Sequence, residues 1–140
     1  MTGDELAASY MVKASARRRV LEVLLEESAY SDVVREAQEL VELALKAALR
    51  AIGVDPPRWH DVGPILVEHG AVFPEWFTQA LPEIAEISRW LRREREFAFY
   101  GDVDMIPTES YGRQDALRAQ HDALVVYQAV ASLLAGRSLP

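Results

Sequence analysis

The stretch from Ser31 to Ile52 constrains this chain more than any other part of it. Val34, Ala37, Val41, Ala44, Ala48 and Ile52 recur at steps of three and four residues, the spacing that lines side chains along one side of an α-helix. Tyr30-Ser31-Asp32 offers a break and an N-cap candidate before the stripe, and Gly53 follows it at the position where helices commonly close on a glycine. Glu42 and Lys46 make an i,i+4 pair with the acid on the N-terminal side, the more favourable order. Start, stripe and stop agree on a helix.

The same spacing predicts helices elsewhere. Ala7, Met11, Ala14, Leu21, Leu24 and Leu25 define one from Leu6 to Ser28, with Arg17, Arg18, Arg19, Glu22, Glu26 and Glu27 on its wet side. Val54 to Asp61 contains Pro56-Pro57 and is read as a loop. His60-Asp61 marks the start of a short helix that tolerates Pro64 in its first turn and stops near His69-Gly70. A further helix runs from about Pro74 to Arg95, bent at Pro82, with Trp76, Phe77, Leu81, Ile84, Ile87, Trp90 and Leu91 facing inward. Gly101 to Pro107 is loop, and Ala116, Ala123, Tyr127, Val130 and Leu134 mark a last helix ending at Gly136. No alternating strand pattern of useful length interrupts them. The expected fold is an all-α, antiparallel up-and-down bundle of about five helices, with residues 1–140 as a single domain.

Composition excludes several classes of function. The chain has no cysteine, which removes disulfides, thiolate metal sites and a cysteine nucleophile. A formal charge of −7 opposes non-specific binding to nucleic acid, so any RNA contact has to be local. No apolar run approaches the roughly 20 residues of a membrane helix. The acidic start Thr2-Gly3-Asp4-Glu5 does not resemble a signal peptide, and a cytoplasmic location is the expectation. His121-Asp122 has no third ligand at suitable spacing, so neither a metal nor another cofactor is expected.

The run Arg35-Glu36-Ala37-Gln38-Glu39-Leu40-Val41-Glu42-Leu43-Ala44-Leu45-Lys46-Ala47, the turn Gly53-Val54-Asp55-Pro56-Pro57, and His60-Asp61 resemble, in that order, the HEPN domain family of small helical proteins. Arg93-Glu94-Arg95-Glu96-Phe97-Ala98-Phe99-Tyr100-Gly101-Asp102 extends the likeness over nearly the whole chain. The resemblance implies a helical bundle that forms a homodimer through its long helices, with Glu39, Glu42 and Lys46 on an exposed flank of the dimer element. It also implies a companion protein with a minimal nucleotidyltransferase fold, as in toxin–antitoxin pairs.

Many members of that family are metal-independent ribonucleases with an Arg followed, after four to six residues, by a His. The Arg binds the scissile phosphate while the His exchanges a proton with the attacking or leaving oxygen. His60, His69 and His121 each lack an Arg at that distance upstream. Arg95, Tyr100 and Asp102 instead reproduce an Arg-x4-Tyr-x-His variant with Asp in the His position, and they are the catalytic candidates. In that variant the Tyr is the residue a nucleotidyltransferase partner modifies. Arg92 and Arg93 are candidate RNA- or nucleotide-binding residues. The competing structural reading is a solvated helix surface on which Arg89, Arg92, Arg93 and Arg95 pair with Glu86, Glu94 and Glu96. The functions left standing are an interaction module in a toxin–antitoxin-type pair, a ribonuclease using Arg95 with Asp102 or Tyr100, and a nucleotide-binding regulatory domain.

Overall fold

A computed structural model describes residues 3–58 and 61–137, so His60 lies outside the described residues. Six α-helices follow one another: α1 Gly3–Glu26, α2 Tyr30–Ala51, α3 Gly63–Glu68, α4 Glu75–Tyr100, α5 Pro107–Ser110 and α6 Arg113–Arg137. A 3-10 turn at Gly70–Val72 stands between α3 and α4. Four of the helices are long, and the described residues form an all-α bundle without named strands. The single-turn α5 and the 3-10 turn go beyond the five helices expected, because each is too short to show a periodicity in sequence.

α2 is the central helix and packs against α1, α4 and α6. That position explains why more than its predicted stripe is buried. Val33, Leu40, Leu45 and Leu49 join Val34, Ala37, Val41, Ala44 and Ala48 in the core, so the helix is covered on several sides. The core is one continuous cluster running from Ala7 of α1 to Leu133 of α6. Phe77 is the largest of its fully buried side chains and contributes about 1.5–3 kcal/mol by transfer alone.

Both ends of the α1–α2 region are closed by backbone geometry. Gly53 adopts φ +80°, its N–H donates to the Arg50 carbonyl, and the Val54 N–H donates to the Leu49 carbonyl. The same double closure ends α1, with Ser28 at φ 58° and the N–H groups of Ser28 and Ala29 reaching the Leu25 and Leu24 carbonyls. Ser31 is therefore not the N-cap of α2. The helix begins at Tyr30, no side chain caps it, and Ser31 is buried in its first turn.

α4 continues through Pro82 and runs five residues past the expected end at Arg95. Trp76 is the exception to its predicted inward face: it is 47% exposed and meets Phe77 edge-on, because the next position round the helix takes the core direction. Asp61 precedes the N-cap of α3, Val62, and accepts hydrogen bonds from the Gly63 N–H at 3.1 Å and the Ser88 hydroxyl at 2.6 Å, so it ties the start of α3 to α4 without being its cap. α6 runs past Gly136 to Arg137. The three consecutive arginines of α1 diverge: Arg17 donates to the Lys13 carbonyl, Arg18 lies over the Tyr127 ring, and Arg19 pairs with Glu22.

Candidate functional site

The seam between α2 and α4 gathers most of the residues singled out by sequence. On α2, Arg35, Glu39, Glu42 and Lys46 recur at three- and four-residue steps and share one side. On α4, Arg92, Arg95, Glu96, Phe99 and Tyr100 do the same. Arg95 pairs with Glu39 at 2.6 Å, and Arg92 Nη1 lies 4.0 Å from Glu42. Glu42 is also held by Lys46 at 3.2 Å and accepts a hydrogen bond from Gln38 at 3.2 Å. The arginines thus reach across to α2, whereas Arg89 pairs with Glu86 on its own helix, as the surface reading expected for all of them. Glu39, Glu42 and Lys46 are not an exposed flank. Their side chains are only 27%, 17% and 23% exposed, because α4 lies over them.

Burial pushes the Glu42 carboxyl up, but the hydrogen bonds from Gln38 and Lys46, together with the charges of Lys46 and Arg92, outweigh it. The carboxyl is held below its ordinary range. Glu42 therefore stays ionised and fixes the positions of the cations around it.

Past this network the seam opens into a cleft of about 330 Å³ lined by Arg35, Arg92, Arg95, Glu96, Phe99 and Tyr100. Three guanidinium groups and one carboxylate line it, and each arginine has a carboxylate partner: Glu36 at 3.3 Å for Arg35, with Glu42 and Glu39 for Arg92 and Arg95. The Arg35 guanidinium stacks 4.2 Å from the centre of the Phe99 ring, and Phe99 meets Tyr100 edge-on at 4.7 Å. Tyr100 stands at the end of α4 with 75% of its surface exposed. This lining offers planar donors suited to a phosphate or carboxylate and aromatic faces suited to a flat ring.

Gly101 ends α4 and turns the chain away from the cleft. Asp102 then exchanges backbone hydrogen bonds with Met105, its Oδ1 accepts the Val103 N–H at 2.7 Å, and it does not line the cleft. Arg93 is exposed and also outside the lining, since it is one position, about 100°, round the helix from Arg92. Sequence reasoning missed Arg35 and Phe99 as partners in the site. Arg35 stands four residues before Glu39 on the polar side of α2, the one signal available. The end of α4 is anchored from outside the cleft by Tyr111, whose hydroxyl donates to Glu94 at 3.1 Å. Burial and the Glu94 charge push this phenol above its usual range.

Fold and site together define a small all-α bundle protein with an arginine-lined, aromatic-edged cleft between two of its long helices. The HEPN domain model matches residues 7–133, and the chain belongs to the HEPN domain family. The structure is similar to that of TT1696 from Thermus thermophilus, with a TM-score of 0.68 and 19% identity over 90% of this chain and 96% of that one, a likeness of fold. No curated protein sequence matches the chain. Among the described residues no helix is long and apolar enough to cross a membrane, and no group of three or more His, Asp or Glu side chains is arranged to hold a metal ion.

Proposed function

We propose that the chain is the HEPN half of a toxin–antitoxin-type pair, a homodimeric interaction module whose minimal nucleotidyltransferase partner acts on Tyr100. The observation that carries this reading is the placement of Tyr100: an exposed phenol at the mouth of a cleft lined by Arg35, Arg92 and Arg95. The phenol oxygen attacks the α-phosphorus of a nucleoside triphosphate held by the partner. An O–P bond forms, the bond to pyrophosphate breaks, and the phenolic proton passes to a base on the partner or to water. The new phosphodiester carries one negative charge beside the arginines, which hold it by charge-assisted hydrogen bonds, and the attached nucleoside closes the cleft mouth.

Co-expression with the nucleotidyltransferase encoded next to this gene tests the reading. Intact mass is expected to rise by one nucleoside monophosphate per chain, and the Tyr100→Phe variant to remain unmodified. A neighbouring frame that encodes no such enzyme, or modification that persists in Tyr100→Phe, counts against it.

A second reading, ribonuclease, draws support from Arg95 and Tyr100 lining the same cleft. Arg95 would hold the scissile phosphate, and Asp102, outside the lining, takes no part. Cleavage of single-stranded RNA by the wild type that disappears in Arg95→Ala would favour it over the interaction module. Nucleotide binding without cleavage would instead appear as thermal stabilisation alone.

A further inference from the structure

α1 and α6 give their buried stripes to the same neighbour. Ala7, Ala14 and Leu21 of α1 and Ala123, Val126 and Val130 of α6 enter the core, where both helices pack on α2 and touch each other far less. Between them runs a groove in two parts that meet at Ser15. One part, of about 460 Å³, is apolar and is lined in part by Met11, Val12, Tyr127, Ala131 and Leu134. The other, of about 570 Å³, is polar and is lined in part by Arg18, Arg19, Glu22, Gln120 and Gln128. The helices run antiparallel along it, since Ala8 and Ala135 share the apolar part while Glu22 and Gln120 share the polar one. Towards the groove α1 is apolar near its N-terminus and α6 near its C-terminus, and the antiparallel arrangement brings these ends together.

A guanidinium marks the border between the parts. Arg18 lies 4.2 Å from the centre of the Tyr127 ring, and its Nη2 donates to the Ser15 hydroxyl at 2.8 Å. Both partners are neutral, whereas Arg19 is paired with Glu22 at 2.9 Å. The charged residues lining the polar part, two arginines and one glutamate, thus leave one positive charge in excess, set at the mouth of the apolar part. That complements a molecule with an apolar tail and a single negative head. Nucleic acid would require several such cations in a row, and an anionic membrane surface would meet a chain of formal charge −7. From Ala8 to Ser15, at about 1.5 Å per residue, the apolar part is roughly 10 Å long. An extended chain advances about 1.2 Å per bond, so about eight or nine carbons fill it.

We propose that the α1–α6 groove is a binding site for a free medium-chain carboxylate. The tail lies along Met11, Val12 and Leu134, and the carboxylate accepts hydrogen bonds from the Arg18 guanidinium and from the Ser15 hydroxyl, which keeps its own proton to donate. None of these residues lines the cleft at Tyr100, so the site stands apart from the proposed function and so does its test.

Met11 lines the groove and Met105 lies beyond the end of α4, which gives the full chain a reporter and a control. With isotope-labelled methionine methyl groups followed by NMR, decanoate below its micelle concentration is expected to shift Met11 saturably and leave Met105 in place. By calorimetry, octanoate, shorter by two methylenes, binds about 4–16-fold more weakly, from about two- to fourfold per methylene. Arg18→Gln weakens decanoate about tenfold and leaves decanol unchanged, a split that a mere loosening of the helices does not produce. Val12→Asp, at a side chain 71% exposed and outside the core, abolishes decanoate binding with unchanged circular dichroism. Met11 unmoved by decanoate, Met105 moving with it, octanoate binding as tightly as decanoate, or Arg18→Gln binding decanoate normally overturns the site. So does a Met11 shift that requires phospholipid vesicles, or one that follows protein dilution and not decanoate, since the groove is then covered by a membrane or by a second copy.

Discussion

Replacing Gly101 with alanine probes the turn that leaves Tyr100 at the end of α4. Gly101 has φ 77° and ψ −160°, a region essentially closed to residues with a side chain, and entering it costs about 1–3 kcal/mol. An added Cβ would stand 2.5 Å from the Met105 carbonyl oxygen and 2.8 Å from Pro107 Cδ, so the backbone has to give. The Met105 carbonyl accepts the Asp102 N–H at 3.1 Å, and losing that bond removes about 0.5–1.5 kcal/mol more. Together these give roughly 2–4 kcal/mol. For a chain of this length that corresponds to a fall in Tm of about 6–14 °C. Gly53→Ala is the control. Its φ is also positive, at +80°, but nothing lies within 4 Å of the added Cβ, so backbone strain alone applies, about 1 kcal/mol. Thermal unfolding followed by circular dichroism should rank wild type above Gly53→Ala and Gly53→Ala above Gly101→Ala, and only Gly101→Ala should also lose modification at Tyr100. If Gly101→Ala unfolds within about 1 °C of wild type and is modified normally, the turn does not hold Tyr100 in place as described.

Phe77→Ala empties the largest fully buried position and removes ring contacts with Phe73 and Trp76, so urea unfolding should show a loss of about 3–5 kcal/mol. Because the Glu42 carboxyl is held below its ordinary range in the folded chain, its contribution to stability is present above the unfolded-state value and disappears as pH falls through the folded-state value. Urea midpoints measured from neutral pH down into the acid range should therefore fall less in Glu42→Gln than in wild type. The Tyr111 phenol is raised, so the folded chain keeps a proton that the unfolded chain gives up above about pH 10, and stability drops as pH climbs past that point. Tyr111→Phe should lose about 0.5–1.5 kcal/mol at neutral pH with its bond to Glu94, yet show a shallower alkaline decline in chemical denaturation.

Which parts of the molecule were legible in the sequence follows from how far apart the interacting groups are. A helix is made by bonds four residues apart, so the stripe of α2, its closure at Gly53 and the Glu42–Lys46 pair could be read directly, and each is present in the structure. The membership of Arg92, Arg95 and Tyr100 on one side of α4 is the same kind of local fact. The cleft is not. Arg35 and Arg92 are separated by most of three helices, and they meet because α2 is the centre of the bundle and α4 lies across it, a packing choice that depends on side-chain fit over the whole core. The same choice covered Glu39, Glu42 and Lys46, left Trp76 exposed, and brought Met11 of α1 and Leu134 of α6 to one groove. Sequence by itself determined the helices and the residue types each one carries. Tertiary structure decided which of their faces meet, because that depends on contacts between residues that local periodicity does not relate.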